Sequence, residues 1–160
     1  MAVPSPTLKW KRHPLPPGFA VAILDGEPLA EVGGPAKGEI TSGFHPVRVG
    51  IWFGTGHDLA EWRAGIGSNP GVTFGAERAT AVCGAAARTI EAVSSTRPAT
   101  AVTYVDGHHG AEPNPGETFV AVAFHYKDVP VVAFYVVPSA ERARYAADEA
   151  HFFASIDCPR

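Results

Sequence analysis

The stretch TFVAVAFHY at residues 118–126, followed by VPVVAFYVV at 129–137, decides the fold of this chain. Both segments are rich in β-branched and aromatic residues, which predicts two long strands of a hairpin. Both are apolar on their two faces, so we expect them to be central in a sheet and covered on both sides.

The segment SAERARYAADEAHFFASI at residues 139–156 predicts a long C-terminal helix packed on that sheet. Ser139 is a good N-cap because it follows Pro138. The expected apolar stripe comprises Ala143, Ala146, Ala147, Ala150 and Phe153, and the expected water-facing side comprises Glu141, Arg142, Arg144, Asp148 and Glu149. A hairpin followed by a helix that folds back on it is a small α+β core.

Upstream segments predict further strands and one short helix. FAVAIL at 19–24, PVRVGIWF at 46–53 and ATAVTYV at 99–105 are typical of strands. Residues 80–93 favour a hairpin that turns near Gly84 over a helix at 79–87, because Cys83-Gly84 interrupts the helical pattern. Asp58 and Glu61 have the spacing of an N-cap and the third helical residue, which predicts a helix beginning near Asp58.

Composition excludes several classes of function. The chain has 160 residues, 46% hydrophobic and 18% charged, so it has enough apolar material for one folded domain. A net charge of −3 without a basic stripe argues against nucleic-acid binding. Each apolar run is shorter than the roughly twenty residues of a membrane-spanning helix, so we expect no membrane span.

The N-terminus predicts a separate region. Residues 1–18 are Pro-rich and are expected to form an extended arm, with residues 19–160 forming a single α+β domain. The basic residues Lys9, Lys11 and Arg12 are not followed by an apolar segment, so this is not a signal peptide. We therefore expect a cytoplasmic protein, or alternatively an exported protein whose signal lies outside this sequence.

The two cysteines leave two interpretations open. Cys83 lies in an apolar stretch and is expected to be a small core residue. A disulfide between Cys83 and Cys158 requires an oxidising compartment, and their spacing does not decide the matter. Cys83 as a catalytic nucleophile is less favoured, because no cysteine-hydrolase signature surrounds it.

The order of elements, with PLPPGF at 14–19, CGAAAR at 83–88 and HFFASI at 151–156, resembles the Mog1/PsbP-like family. The resemblance implies an α/β/α sandwich in which a curved antiparallel sheet is flanked by helices. Members of this family share no catalytic site and serve as accessory, assembly or binding proteins: Ran-pathway cofactors, photosystem extrinsic subunits and small bacterial proteins of secretion or envelope systems. No functional residue carries over to this chain.

Two histidine features are candidates for chemistry. His108 and His109 lie in the loop DGHHGAEPNPGE at 106–117, and adjacent histidines are able to bind zinc, although the simpler interpretation is a solvated loop. His57 with Asp58 and Glu61 has the composition of an acid–base group, but plain helix capping explains the same residues.

Aromatic residues provide the favoured functional prediction. Trp10, Phe44, Trp52 and Trp62 lie in predicted loops or on half-polar faces, and exposed aromatic side chains form protein contact surfaces. We therefore predict a non-catalytic accessory protein that docks on another protein or a larger protein complex, with the N-terminal arm and these aromatics in the contact and no cofactor. The alternative is a small zinc-binding protein or metal-dependent enzyme that uses His108 and His109.

Overall fold

The computed structural model describes residues 5–15, 18–33, 38–43, 46–54, 58–96 and 113–160. Within these residues the chain forms ten strands and two α-helices. In chain order the elements are β1 Trp10–Leu15, β2 Phe19–Leu24, β3 Leu29–Gly33, β4 Gly38–Ser42, β5 Arg48–Phe53, α1 Leu59–Gly67, β6 Val72–Phe74, β7 Arg78–Val82, β8 Ala85–Ser94, β9 Glu117–Tyr126, β10 Val129–Pro138 and α2 Ala146–Ala154.

The described strands form one large antiparallel sheet and one two-stranded ribbon. The large sheet has the order β3-β4-β5-β10-β9-β8-β6, and β7 also pairs with β8. The ribbon consists of β1 and β2. The α+β class is confirmed, and β9 and β10 are central strands as their apolar sequences predicted.

Side chains alternate between the two faces of the large sheet, and each face has its own core. One core, on what we call the α2 face, includes Tyr135 of β10 together with Phe152 of α2 and the inward side chains of the ribbon. The other core, on the α1 face, includes Phe134 of β10 together with Trp62 and Ile66 of α1. Successive residues of one strand thus belong to different cores.

The C-terminal helix is shorter than predicted. Residues 139–141 form one 3-10 turn, and α2 covers only Ala146–Ala154. The predicted apolar stripe is also wrong, because Ala143, Ala146 and Ala150 are exposed while Tyr145, Asp148, Phe152 and Ile156 are buried. A methyl group buries little apolar area, so the larger side chains decide which side of the helix faces the core.

Part of the predicted N-terminal arm belongs to the folded domain. Strand β1 pairs along its length with β2, from Trp10 opposite Leu24 to Leu15 opposite Phe19. The side chain of Leu15 is fully buried in the core of the α2 face. Removing this segment therefore exposes core side chains in addition to removing a surface.

The predicted N-cap at Ser139 is wrong, because Ser139 begins the 3-10 turn and Tyr145 is the N-cap of α2. The predicted strands and the predicted start of α1 agree with the structure wherever it describes them. Strand β2 covers the predicted residues 19–24, and Asp58 caps α1 by accepting a hydrogen bond from the Glu61 amide at 2.8 Å. The predicted strand at 99–105 lies outside the described residues. In the part of the chain that the structure describes, neither helix has the length and hydrophobicity needed to cross a bilayer.

Candidate functional site

The hairpin β7–β8 is the first component of the candidate site. Cys83 and Gly84 form its two-residue turn with φ values of 52° and 74°, as required by the tight turns that suit β-hairpins. Within the described residues β7 pairs with β8 alone, and Arg78, Ala79, Thr80 and Ala81 are exposed. The outer side of β7 is therefore an accessible sheet edge.

An open groove of about 400 Å³ lies beside this edge on the α2 face. Its lining mixes polar residues of β7, β8 and α2 with a floor of buried apolar side chains of β9, chiefly Val120 and Val122. The groove is thus shaped by the sheet and by α2, with β7 as its rim.

Arg142 bridges the two carboxylates of that groove. Its guanidinium donates to Glu91 of β8 at 2.7 Å and binds both carboxylate oxygens of Glu149 at 3.1 Å. Hydrogen bonding to Glu149, reinforced by Glu91, raises the pKa of Arg142 against the effect of partial burial. The group is a permanent cation whose charge is already compensated, so its main role is to join α2 to the sheet.

A second open cleft, of about 540 Å³, lies on the α1 face of the same hairpin. Ala86 and Ala123 contribute to its floor, Arg88 and His125 are exposed at its walls, and the start of α1 contributes Asp58 and Leu59. The small alanine side chains leave this part of the sheet uncovered. We call β7, β8 and these two clefts the β7–β8 corner.

Arg78 and Arg88 are the cations of the corner that have no carboxylate partner among the described residues. Each is exposed, unlike Arg63, which binds Glu77 at 2.7 Å. The other charged residues that the structure describes in the corner are Asp58, Arg142, Glu91 and Glu149, so its formal charges cancel and the positive charge is local to Arg78 and Arg88.

Two of the four aromatic residues predicted to form a contact surface are buried. Trp52 and Trp62 are 3% and 2% exposed, because both lie in the core of the α1 face, where Trp62 stacks on Phe119 at 5.2 Å. Trp10 is half-buried, and Phe44 lies outside the described residues. The half-polar pattern around Trp52 was misleading because β5 is covered on both faces.

The histidine predictions fall on residues that the structure does not describe. His108, His109 and His57 all lie outside the described ranges, so zinc binding at the 106–117 loop stays a prediction. Among the described residues, no group of three His, Cys, Asp or Glu side chains is placed to hold a metal ion.

Asp148 holds the N-terminal segment against α2, a role that the sequence analysis missed. This fully buried carboxylate accepts hydrogen bonds from the Thr7 hydroxyl at 2.8 Å, the Leu8 amide at 2.8 Å and the Trp10 indole Nε1 at 2.9 Å, with the Thr7 amide at 3.1 Å. Burial alone raises the pKa of Asp148, but the hydrogen bonds from Trp10, Leu8 and Thr7 outweigh it and hold the pKa below its ordinary value. We call these four residues the Asp148 clamp.

Tyr135 and the two cysteines form further structural contacts near α2 and the C-terminal tail. The buried Tyr135 hydroxyl donates to the Tyr145 carbonyl at 3.1 Å, and burial, with the nearby charges of Asp148 and Glu149, raises its pKa. Cys83 and Cys158 form a disulfide with Cα atoms 6.2 Å apart, and Cys83 is exposed rather than a buried core thiol. The bond ties the β7–β8 turn to the C-terminal tail.

The sequence matches no protein-family model and no curated protein. Solved structures resemble the fold over nearly the whole chain. Cyanobacterial PsbP (CyanoP) from Synechocystis sp. PCC 6803 has a TM-score of 0.60 at 10% identity, with 94% of this chain and 92% of that chain covered. The Ran-binding protein Mog1p of Saccharomyces cerevisiae has a TM-score of 0.50 at 12% identity, with 94% and 96% covered. A Pseudomonas aeruginosa protein of unknown function, PA94, has a TM-score of 0.49 at 12% identity, with 94% and 97% covered. At these identities the likeness shows the fold alone.

Proposed function

We propose that this chain, which has the Mog1/PsbP-like fold, is a non-catalytic binding protein that docks on another protein through the β7–β8 corner. The observation that carries the proposal is the accessible edge of β7, with an open groove beside it on the α2 face and a second cleft over β8 and β9 on the α1 face. A sheet edge that is flanked by clefts offers both backbone hydrogen bonds and side-chain contacts to a protein partner.

The chemistry of the described residues supports binding over catalysis. The groups with clearly shifted pKa values are Tyr135, Arg142 and Asp148, and each is engaged by fixed protein partners in a structural contact. An active site needs its shifted groups free to meet a substrate.

The structural neighbours give coarse support of the same kind. Mog1p is described as a Ran-binding protein, and a protein-binding role on this fold is consistent with our proposal. The partner itself does not carry over, because function on a shared fold resides in the particular site.

The contact surface differs from the one expected from the sequence. Trp52 and Trp62 are buried, and Thr7, Leu8 and Trp10 are bound to Asp148. Deleting residues 1–17 would remove β1 and leave Asp148 without its donors, so that deletion does not separate binding from stability.

A charge-reversal comparison tests the proposal. Affinity purification from the native cells, followed by mass spectrometry, is carried out with the wild type, with Arg78→Glu/Arg88→Glu, and with Lys11→Glu/Arg144→Glu. The last variant carries the same charge change on two exposed residues that line neither cleft, each paired with a carboxylate, Asp25 or Glu141. We expect one stoichiometric partner with the wild type and the control, and its loss with the corner variant. Recovery of the wild type alone would contradict the proposal, and metal analysis of His108→Ala/His109→Ala would follow.

We further propose that this function operates in an oxidising compartment, the alternative to the cytoplasm. The support is the Cys83–Cys158 disulfide, since structural disulfides are rare in reducing cell compartments. The redox state of the two cysteines is measured by alkylating native extracts before and after reduction and determining the mass of the protein. We expect label only after reduction, and labelling of both cysteines before reduction would contradict the proposal.

A further inference from the structure

The backbone geometry of β7 shows which of its polar groups are free for a partner. In a hairpin with a two-residue turn, the residues flanking the turn form a hydrogen-bonded pair, here Val82 and Ala85. Hydrogen-bonded pairs recur at every second residue, so Thr80 and Arg78 also bond to β8. The N–H and C=O groups of Ala79 and Ala81 therefore point away from β8, and no described residue bonds to them.

The side chains of β7 alternate between the two faces of the sheet. Arg78, Thr80 and Val82 face the groove on the α2 face, where all three contribute to its lining. Ala79 and Ala81 lie on the α1 face, and Ala79 is directly opposite Arg88 of β8. Because alanine is small, the long Arg88 side chain is able to extend over β7 toward its outer edge.

The edge thus presents one uncompensated cation on each face. Arg78 lies on the α2 face and Arg88 on the α1 face, and neither has a carboxylate partner among the described residues. A strand lying along β7 places its alternate side chains next to one or the other cation. Carboxylate side chains at those positions would complete both pairs.

We propose that β7 accepts an extended acidic segment of a partner protein as an added strand. The segment bonds to the backbone groups of Ala79 and Ala81 and places carboxylates against Arg78 and Arg88. This inference rests on the proposed function and names the chemistry of its partner.

A second copy of this chain fits the edge less well. Pairing β7 with β7 of another copy would bring two copies each of Arg78 and Arg88 to one short interface, without carboxylates to neutralise them. The edge strand β3 at the far end of the sheet differs in charge, since its Glu31 is paired with His13 at 3.3 Å. Charge therefore favours an acidic segment at β7.

Amide hydrogen exchange followed by NMR tests the inference on the full chain. The probe is a nine-residue peptide in which pairs of glutamates alternate with pairs of threonines, so that both faces of the added strand carry carboxylates. The matched control peptide has lysine in place of glutamate. With the acidic probe at up to about 1 mM, we expect exchange at Ala79 and Ala81 to slow at least ten-fold. The Thr80 amide, already bonded to β8, should change little.

Two variants distinguish strand addition from simple charge attraction. Ala81→Pro removes one outward N–H and keeps the β7–β8 ladder, so we expect at least a ten-fold loss of affinity for the acidic peptide. Arg78→Glu/Arg88→Glu leaves the backbone intact, and we expect it to prefer the lysine peptide.

Four results would overturn the inference. In the free protein, slow exchange at Ala79 and Ala81 would show that the edge is already paired, and protection of these amides by self-association would show that a second copy covers it. Equal binding of the two peptides by the wild type would contradict the role of charge. Unchanged peptide affinity of Ala81→Pro would contradict strand addition. If the cellular partner is lost with the charge variant but retained by Ala81→Pro, the docking function stands and strand addition does not.

Discussion

The two ends of the α2 face differ in how the chain uses its polar groups. At the Asp148 clamp, a buried carboxylate accepts four hydrogen bonds, and the nearby Phe152 ring is fully buried. At the β7–β8 corner, alanine and threonine side chains are exposed, and backbone groups of Ala79 and Ala81 have no partner among the described residues.

The contrast indicates that the Asp148 clamp contributes to stability, whereas the β7–β8 corner has polar groups available for a partner. Groups that are already satisfied within the protein have little left to offer a partner, whereas an unpaired edge gains hydrogen bonds when a partner arrives. Removing a side chain should therefore cost far more at the clamp than at the corner.

The largest effect is expected from breaking the Cys83–Cys158 disulfide, which ties the β7–β8 turn to the C-terminal tail. The cysteines are 75 residues apart, and the loop-entropy model gives about 4 kcal/mol of stabilisation for a loop of that length. We expect Cys83→Ser/Cys158→Ser to lose about that much unfolding free energy in urea titrations, and amide exchange to rise first in the β7–β8 hairpin. Reducing agent should destabilise the wild type and leave the double variant unchanged. Equal urea curves for the two proteins would contradict the prediction.

The next largest effect is expected at Asp148. Asp148→Ala leaves the Trp10 indole and the Thr7 and Leu8 amides without their acceptor, and we expect a loss of about 3 kcal/mol in unfolding free energy. The control is Glu149→Ala on the same helix, which breaks only a partly exposed pair with Arg142 and should cost about 1 kcal/mol or less. Similar losses of unfolding free energy for the two variants would show that the Asp148 clamp contributes no more stability than an exposed ion pair on the same helix.

The clamp should also weaken at low pH. The pKa of Asp148 is held below its ordinary value in the folded protein, whereas in the unfolded chain it should be near 3.9, roughly the unperturbed value. As pH falls the unfolded chain binds the proton first, so the stabilisation is complete above about pH 5 and declines below about pH 4. We expect the difference in unfolding free energy between wild type and Asp148→Asn to be the same at pH 7 and pH 5 and smaller at pH 3. The decrease follows from the extra protons that the unfolded chain binds at low pH. A difference that does not change with pH would contradict this account.

The smallest effect is expected at the corner. Arg78→Ala and Arg88→Ala remove exposed side chains without a carboxylate partner among the described residues, so each should change the unfolding free energy by no more than about 0.5 kcal/mol. Thermal unfolding of both variants beside Asp148→Ala measures the contrast directly. A loss above about 1 kcal/mol at either arginine would mean that the corner is part of the stabilising structure.

Local signals in the sequence were sufficient for much of the sheet. The hairpin at Cys83-Gly84, the strand at 19–24 and the cap at Asp58 were all predicted correctly, since turn chemistry, alternation and capping depend on residues close together in the chain. The low hydrophobicity of RATAV at 78–82 was a signal of an exposed edge that the sequence analysis did not use.

The clamp lacked any such signal. Asp148 and Thr7 are 141 residues apart, and an aspartate among charged residues on a helix is ordinarily solvent-exposed. Trp52 and Trp62 were misjudged for a related reason, because their burial depends on which elements cover β5 and α1 rather than on their neighbours in sequence.

Local sequence patterns were enough to predict the α+β class, the central hairpin β9–β10 and a hairpin that turns near Gly84. Periodicity and turn propensity act over a few residues, so they can be recognised without the fold. Tertiary contacts alone established the buried side of α2, the partners of Asp148, the Cys83–Cys158 pairing and the exposed edge of β7. Each of these depends on contacts between segments far apart in the chain, whose formation is governed by total burial and hydrogen-bond satisfaction rather than by local pattern.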